Sequence, residues 1–296
     1  MKTVMTLLAL AMNIAVAVAQ DVPQDYAAAG DFLGRKGDYK ANVYKIGIPR
    51  SDLKVRVHGI LLPTPFGFAG WVAMTKGTGG HEVVMGDLPL LESEVNPVMS
   101  ALLENGFEVT AVHNHFFSID PALFFMHIHG HGEAMDIAHR LKPALDLIGK
   151  VPQAGADFIL GGPQGVVAGT IDTAALDRIV GATGDKTGDV YKYTVGRDDL
   201  HITEMGAPIG TRMGLNTWAA FFGSDTDAVV AGDVAMLPGE VQRVLKALRS
   251  HNIDVVAVHQ HMIDTQPEVI FLHYWGRGKA AELAAAFRSA LDVLGH

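Results

Sequence analysis

The segment "VTAVHNHFFSIDPALFFMHIHGHG" at residue 109 returns as "VVAVHQHMIDTQPEVIFLHYWGRG" at residue 255. "VYKIGIPRSDL" at 43 returns as "VYKYTVGRDDL" at 190, and "VVMGDLPLLESEV" at 83 as "VVAGDVAMLPGEV" at 229. The offset is 147 for the pair beginning at 43 and 146 for the other two, so one residue is lost between Trp218 and Val229. An internal duplication limits the fold more than composition does, because what one copy forms the other must form as well. Four segments follow: a leader over 1–19, repeat unit 1 over 20–148, a linker over 149–171 and repeat unit 2 over 172–296. The linker, "GKVPQAGADFILGGPQGVVAGTI", is rich in glycine and poor in charge.

Within each copy the pattern reads as a short helix, several strands, then helix, hairpin and helix. "NVYKIGI", "KVRVHGI", "GWVAMT" and "HEVVMGDL" carry β-rich content separated by turn residues. Glu94 opens a helix with Val95, Val98, Met99 and Leu102 on one face, matched by Val241, Val244, Leu245 and Leu248. The closing helix presents Ala134, Ile137, Ala138, Leu141, Leu145 and Ile148, and its counterpart repeats the period from Ala280 to Leu294. The expected fold class is α+β. It consists of two homologous units, each a mainly antiparallel sheet with helices packed on one face, related by a pseudo-twofold.

Five of the chain's 14 histidines fall between 113 and 132. "FFSIDPA" and "MIDTQPE" read as hairpin loops between two apolar runs. Residues i and i+2 of a strand share a face, so His113 pairs with His115 on one strand and His127 with His129 on the other. A loop centred near residue 120 sets His113 opposite His127 and His115 opposite Phe125, with cross-strand Cβ atoms about 5 Å apart. Three imidazoles could then reach one ion at roughly 2.0–2.1 Å. Copy two repeats the set as His259, His261 and His273, while His129 and His131 become Trp275 and Arg277. The expected metal ligands are His113, His115, His127, His129 and His131 in copy one and His259, His261 and His273 in copy two. Copy one is expected to bind more tightly through its extra imidazoles. A hydrogen-bonded polar core is the competing reading.

Other residues occur in both copies: Arg50 and Arg197, Asp52 and Asp199, Trp71 and Trp218, Asp87 and Asp233, Glu94 and Glu240. The aspartates follow glycine and read as caps or turns, and the tryptophans as core. Each glutamate begins a helix, where the macrodipole favours a carboxylate. Glu94 and Glu240 are also the candidate catalytic residues, as a fourth ligand or as a general base for metal-bound water. Behind the second hairpin, "GRGK" opens a helix, and Arg277 with Lys279 could hold a small anionic ligand there.

Composition narrows the chemistry. With no cysteine, thiolate metal sites, blue-copper centres, cysteine nucleophiles and disulfides are excluded. A formal net charge of −9 gives no electrostatic footprint for nucleic acid. "HNH" here is a contiguous triplet and not the spread ββα signature of a nuclease, and the glutamate expected of a cupin does not follow. Lys2, the apolar "VMTLLALAMNIAVAVA" and the Ala17-Val18-Ala19 site resemble a signal peptide cleaved before Gln20. A periplasmic or secreted protein with no integral membrane segment after cleavage is expected.

The stretch "VMGDLPLLESEVNPVMSALLENGFEVTAVHNHF…MHIHGHG" resembles the LppY/LpqO family of exported bacterial proteins. Members carry duplicated units with a His-Asn-His and a His-x-His-Gly segment, and the resemblance spans nearly the whole chain after the leader. It implies the two-unit plan and marks His113, His115, His127 and His129 as signature positions. It implies no activity, and lipid anchoring does not carry over because the lipobox cysteine is missing. The resulting expectation is an exported protein with one divalent-metal site, zinc or copper, on the hairpin of each repeat. A metal-dependent hydrolase and a metal buffer or chaperone both fit, so whether it is an enzyme stays open. A non-metal interaction module is the alternative.

Overall fold

The computed structural model describes residues 21–150, 167 and 169–295. The leader, its cleavage site and most of the linker lie outside these residues. Repeat one runs α1 (Gln24–Phe32), β1 (Gly37–Lys40), β2 (Val43–Pro49), β3 (Val55–Val57), β4 (Ile60–Leu62), β5 (Ala69–Lys76) and β6 (Glu82–Leu91). It continues with α2 (Glu92–Glu104), β7 (Glu108–His113), β8 (Ile119–Asp120), β9 (Leu123–Gly132) and α3 (Ala134–Leu145). Repeat two gives α4 (Thr173–Val180), β10 (Asp185–Thr187), β11 (Val190–Gly196), β12 (Ile202–Glu204), β13 (Ala207–Ile209) and β14 (Asn216–Gly223). It closes with β15 (Ala228–Met236), α5 (Val241–Ser250), β16 (Asp254–His259), β17 (Ile270–Gly278) and α6 (Ala280–Leu291).

Each repeat forms a six-stranded sheet, ordered β1-β2-β5-β6-β9-β7 in one and β10-β11-β14-β15-β17-β16 in the other. All pairs are antiparallel. The expected α+β fold of two similar units is the fold observed. Strand alternation assigns the two faces. Tyr44, Ile46, Val72, Met74, Val84 and Ile128 join the helices in one core. Residues of opposite parity, Val43, Ala73 and Met85, pack against repeat two. The helix-free faces therefore turn toward each other. That is why the central strands β6 and β15 are almost wholly buried and read as continuous apolar runs.

A short arm from each repeat reaches across. The β3–β4 hairpin turns through His58 and Gly59, both at positive φ, the backbone of a two-residue hairpin loop. Its Val57, Ile60 and Leu62 pack with Val229, Ala231 and Trp275 of repeat two. The β12–β13 hairpin makes the reciprocal contact, with Ile202 and Ile209 on the Val43, Ala73 and Met85 face.

The residues retained at both helix starts form a second matched device. Arg50 is fully buried and donates from Nη1 to Glu94 Oε2 (2.6 Å) and to the Pro89 carbonyl (2.9 Å), and from Nη2 to Asp52 Oδ2 (2.9 Å). Glu94 also accepts the Leu91 and Gly149 N–H groups at 2.8 and 2.7 Å. Arg197, Asp199, Glu240, Leu237 and Gly295 reproduce the set. Each cage ties a strand end, a helix start and the tail behind the last helix.

Candidate metal centre

One row of each sheet carries the chemistry. In repeat one, cross-strand register aligns Gly47, Trp71, Asp87, His127 and Ala111 across β2, β5, β6, β9 and β7. In repeat two the row is Thr194, Trp218, Asp233, His273 and Ala257. Both rows lie on the helix-free faces. His113 and His259 end β7 and β16, and His115 and His261 follow just beyond.

The expected register is corrected by two residues. His113 pairs with Phe125, and His127 with Ala111. The turn centres on residue 119, not 120, because its β8 segment is drawn into pairing with Val57 and Arg56 of the arm. A bulge between Val109 and Ala111 adds a further shift. An even displacement leaves the faces unchanged, so the histidines still converge. His115 stacks on the Phe125 ring at 3.3 Å between centroids, as His261 does on Phe271 at 3.4 Å.

The convergence is between the repeats. Ring centroids lie 3.8 Å apart for His113 and His259, 3.7 Å for His115 and His273, and 3.9 Å for His127 and His261. Among the described residues, three groups bring their ligand atoms within 4.8 Å of one another: His113, His115 and His273; His113, His127 and His259; and Asp233, His259 and His261. The first two draw on both copies. None of the three is the complete histidine triad expected on one hairpin, and only that of Asp233, His259 and His261 lies within a single repeat.

The hydrogen bonding does not describe a satisfied polar core. His273 Nδ1 lies 3.2 Å from the Gly232 carbonyl, which can only accept, so Nδ1 carries the proton and Nε2 keeps its lone pair. Among the described residues that Nε2 is buried without a partner, as are His113 Nε2, His127 Nε2, His259 Nδ1 and both nitrogens of His115. Burial lowers the pKa of His113 to about 4. Burial, reinforced by neighbouring imidazoles, holds His115, His127, His261 and His273 well below the ordinary value. Neutral imidazoles with free lone pairs are the state a metal requires. Gly232 allows the close packing behind the row, since a Cβ there would collide with the Trp218 carbonyl and the Tyr274 hydroxyl oxygen.

The two aspartates are candidate site residues that the sequence reading missed. They lie mid-strand beside the histidines and do not serve as caps or turns. Burial raises Asp87 to about 7 and holds Asp233 well above the carboxylate range. Asp233 Oδ2 sits 3.5 Å from His261 Nε2, and Asp87 Oδ1 is buried without a partner. Their presence at the same place in both copies was the available signal. The tryptophans, read as core, line a cavity of about 250 Å³ with Asp87, Asp233, His115, His261 and His273. Lys45 and Lys192 enter the same cavity.

Several expected site residues lie elsewhere. Glu94 and Glu240 are committed to their arginine cages and join none of the ligand groups among the described residues. His129 is buried one rung away, with Nδ1 3.5 Å from Glu204 of repeat two. His131 is exposed at the outer end of β9. Arg277 is paired with Asp227 at 2.9 Å and Lys279 with Glu282 at 3.2 Å, both on the surface, so neither faces the cavity.

The family described as Domain of Unknown Function (DUF1259) matches residues 27–147 and again residues 174–293. The chain belongs to that family. Each match covers one repeat, so the duplication is two copies of this domain. No curated protein matches the sequence. Among solved structures, the chain aligns with the trimeric bacterial microcompartment shell protein PduB at 13% identity and a TM-score of 0.22, covering 88% of this chain and 90% of that one. EtuB from Clostridium kluyveri aligns at 10% identity and a TM-score of 0.20, covering 87% and 86%. A double-ringed trimeric shell protein of the RMM microcompartment gives 12% and 0.17, covering 73% and 83%. At such TM-scores these names assign the chain no role.

The leader that carried the expectation of a periplasmic or secreted protein lies outside the described residues. No helix among the described residues is long and apolar enough to cross a membrane.

Proposed function

We propose that the duplication serves to assemble a single divalent-cation centre between its two copies, facing a pocket for a small ligand. What supports this reading is one observation: histidines from both repeats converge while, among the described residues, at least one buried ring nitrogen of His113, His115, His127, His259 and His273 lacks a hydrogen-bond partner. Gathering imidazoles without a cation is costly, because each desolvated lone pair is left unsatisfied. Nitrogen and carboxylate ligands without thiolate suit zinc or copper. The group of His113, His115 and His273 shares no residue with that of Asp233, His259 and His261, so the centre has room for two ions at once.

Element analysis of protein purified without a polyhistidine tag, followed by calorimetric titration of the stripped chain with zinc and with copper, tests the proposal. One or two ions per chain are expected. A chain that neither carries nor takes up either metal overturns the reading.

A further inference from the structure

We infer that the cavity beside the histidine cluster takes a small oxyanion, a phosphate or a carboxylate, held by Lys45, Lys192 and Arg212. The inference deepens the metal reading in its placement of the ligand, but its charge argument stands on the cavity itself.

Lys45 Nζ lies 3.9 Å over the Trp71 ring and Lys192 Nζ lies 4.0 Å over Trp218. Among the described residues neither lysine has a carboxylate in ion-pair contact, and the protein hydrogen bond Lys45 makes is to the Arg212 carbonyl at 3.3 Å. Surface cations behave differently. Arg140, Arg277 and Arg288 are each paired with an aspartate. Arg212 is anchored through Nη2 to Asp38 at 2.9 Å, which leaves its Nε buried without an acceptor.

Three cations thus line a cavity that holds two carboxylates, Asp87 and Asp233, while Asp38 outside it balances Arg212. Any divalent ion bound by the histidines gives the cavity a positive excess. Partly desolvated positive charge without a counter-charge is unfavourable, and an anion relieves it. The volume, about 250 Å³, admits only a small molecule. The tryptophan faces offer apolar walls for its carbon part.

The repeats differ at this rim. Thr194, Arg212 and Asn216 line the cavity, whereas repeat one has Gly47, Pro65 and Ala69 at the matching positions. The grip is therefore one-sided, with the anionic group toward Arg212 and the remainder toward repeat one.

Calorimetric titration with inorganic phosphate and with acetate, on metal-loaded and on stripped protein, tests the inference. The loaded chain should bind at least one anion. Lys45→Gln and Lys192→Gln should each weaken binding by about tenfold or more, the loss of one charge-assisted contact. Lys45→Arg should recover most of it, and metal content should not change in any of the three. Tighter binding of phosphate names a phosphorylated ligand, and tighter binding of acetate a carboxylate. Arg212→Gln, at the cavity rim, supplies an independent variant if a lysine substitution prevents folding. If the chain holds no metal, the metal reading fails alone, and the same titrations on stripped protein decide the anion. Anion binding absent from both forms, or equal in wild type and the Lys45→Gln/Lys192→Gln double variant, overturns the inference.

Discussion

Repeat one ends its hairpin with His129 and His131, whereas repeat two has Trp275 and Arg277 there, and the two pairs meet different surroundings. Trp275 is buried against Phe66 and Phe116 of the other repeat, at ring centroid distances of 6.0 Å each. His129 occupies the matching rung opposite the other arm, beside Glu204. One rung inward the repeats agree: Asp87 and Asp233, His127 and His273, Trp71 and Trp218. The pseudo-twofold explains the contrast. A group near the axis meets its own counterpart, so changing one copy changes the shared centre. A group away from the axis meets a different neighbour and is free to diverge.

The comparison breaks most directly at His113 and His259, which stack on each other and each belong to two of the three ligand groups. Alanine at either position should therefore impair the whole centre, not one half of it. The expected loss of metal affinity exceeds the roughly 10–100-fold typical of losing an outer partner. Titration of stripped His113→Ala and His259→Ala with zinc checks this. Loss of one independent class of site in each variant would restore the picture of two separate sites.

The arginine cages should show the repeats as equals. Arg50→Met or Arg197→Met strands a buried glutamate, at a cost of about 3–5 kcal/mol in either copy. Chemical denaturation of the two variants should give similar losses, with metal stoichiometry intact in whatever remains folded. Loss of metal binding in the folded fraction would return Glu94 and Glu240 to the centre.

Acid should act on the same cages. Burial raises Asp52 and Glu240, but hydrogen bonds from Arg50 and Arg197 outweigh it, and both carboxyls end below their ordinary values. The hydrogen bond from Arg197 lowers Asp199 likewise. A carboxylate depressed on folding contributes stability that is complete above its unfolded value, around pH 4, and lost as pH falls through the folded one. Melting temperature should begin to decline below about pH 6.5, where the unfolded chain protonates histidines that the fold keeps neutral, and the further decline below about pH 4 should be less steep in Arg197→Met. A parallel decline in wild type and variant would remove the cage as the cause.

How much of this was legible follows from range. The helices α3 and α6 bury the faces their period predicts, Ala134, Ile137 and Leu141 in one and Ala280, Leu283 and Phe287 in the other. Period within one segment is local information. The histidine face survived a two-residue register error because strand parity is also local. The row joining Trp71, Asp87 and His127 is not local, since it needs the order and register of five strands. The convergence of His113 on His259 needs, in addition, the packing of one sheet against the other. Asp87 and Asp233 therefore read as turn residues although they lie at mid-strand. A glycine before an aspartate signals a turn unless the strand continues on both sides.

The smallest effect is expected where the sequence placed an anion site. Arg277 pairs with Asp227 on the surface of repeat two, and both side chains are more than two-fifths exposed. An exposed pair contributes about 0–1 kcal/mol, and salt screens it further. Arg277→Gln should therefore leave both stability and anion binding close to wild type. The position in repeat one carries His131, also exposed, so Arg277→His imports the other copy's residue without touching the centre. Phosphate titration of Arg277→Gln beside Lys192→Gln checks the point. The two substitutions remove the same charge from the same repeat, one outside the cavity and one within it. An effect of Arg277→Gln equal to that of Lys192→Gln would mean that long-range charge, and not the cavity, governs the anion.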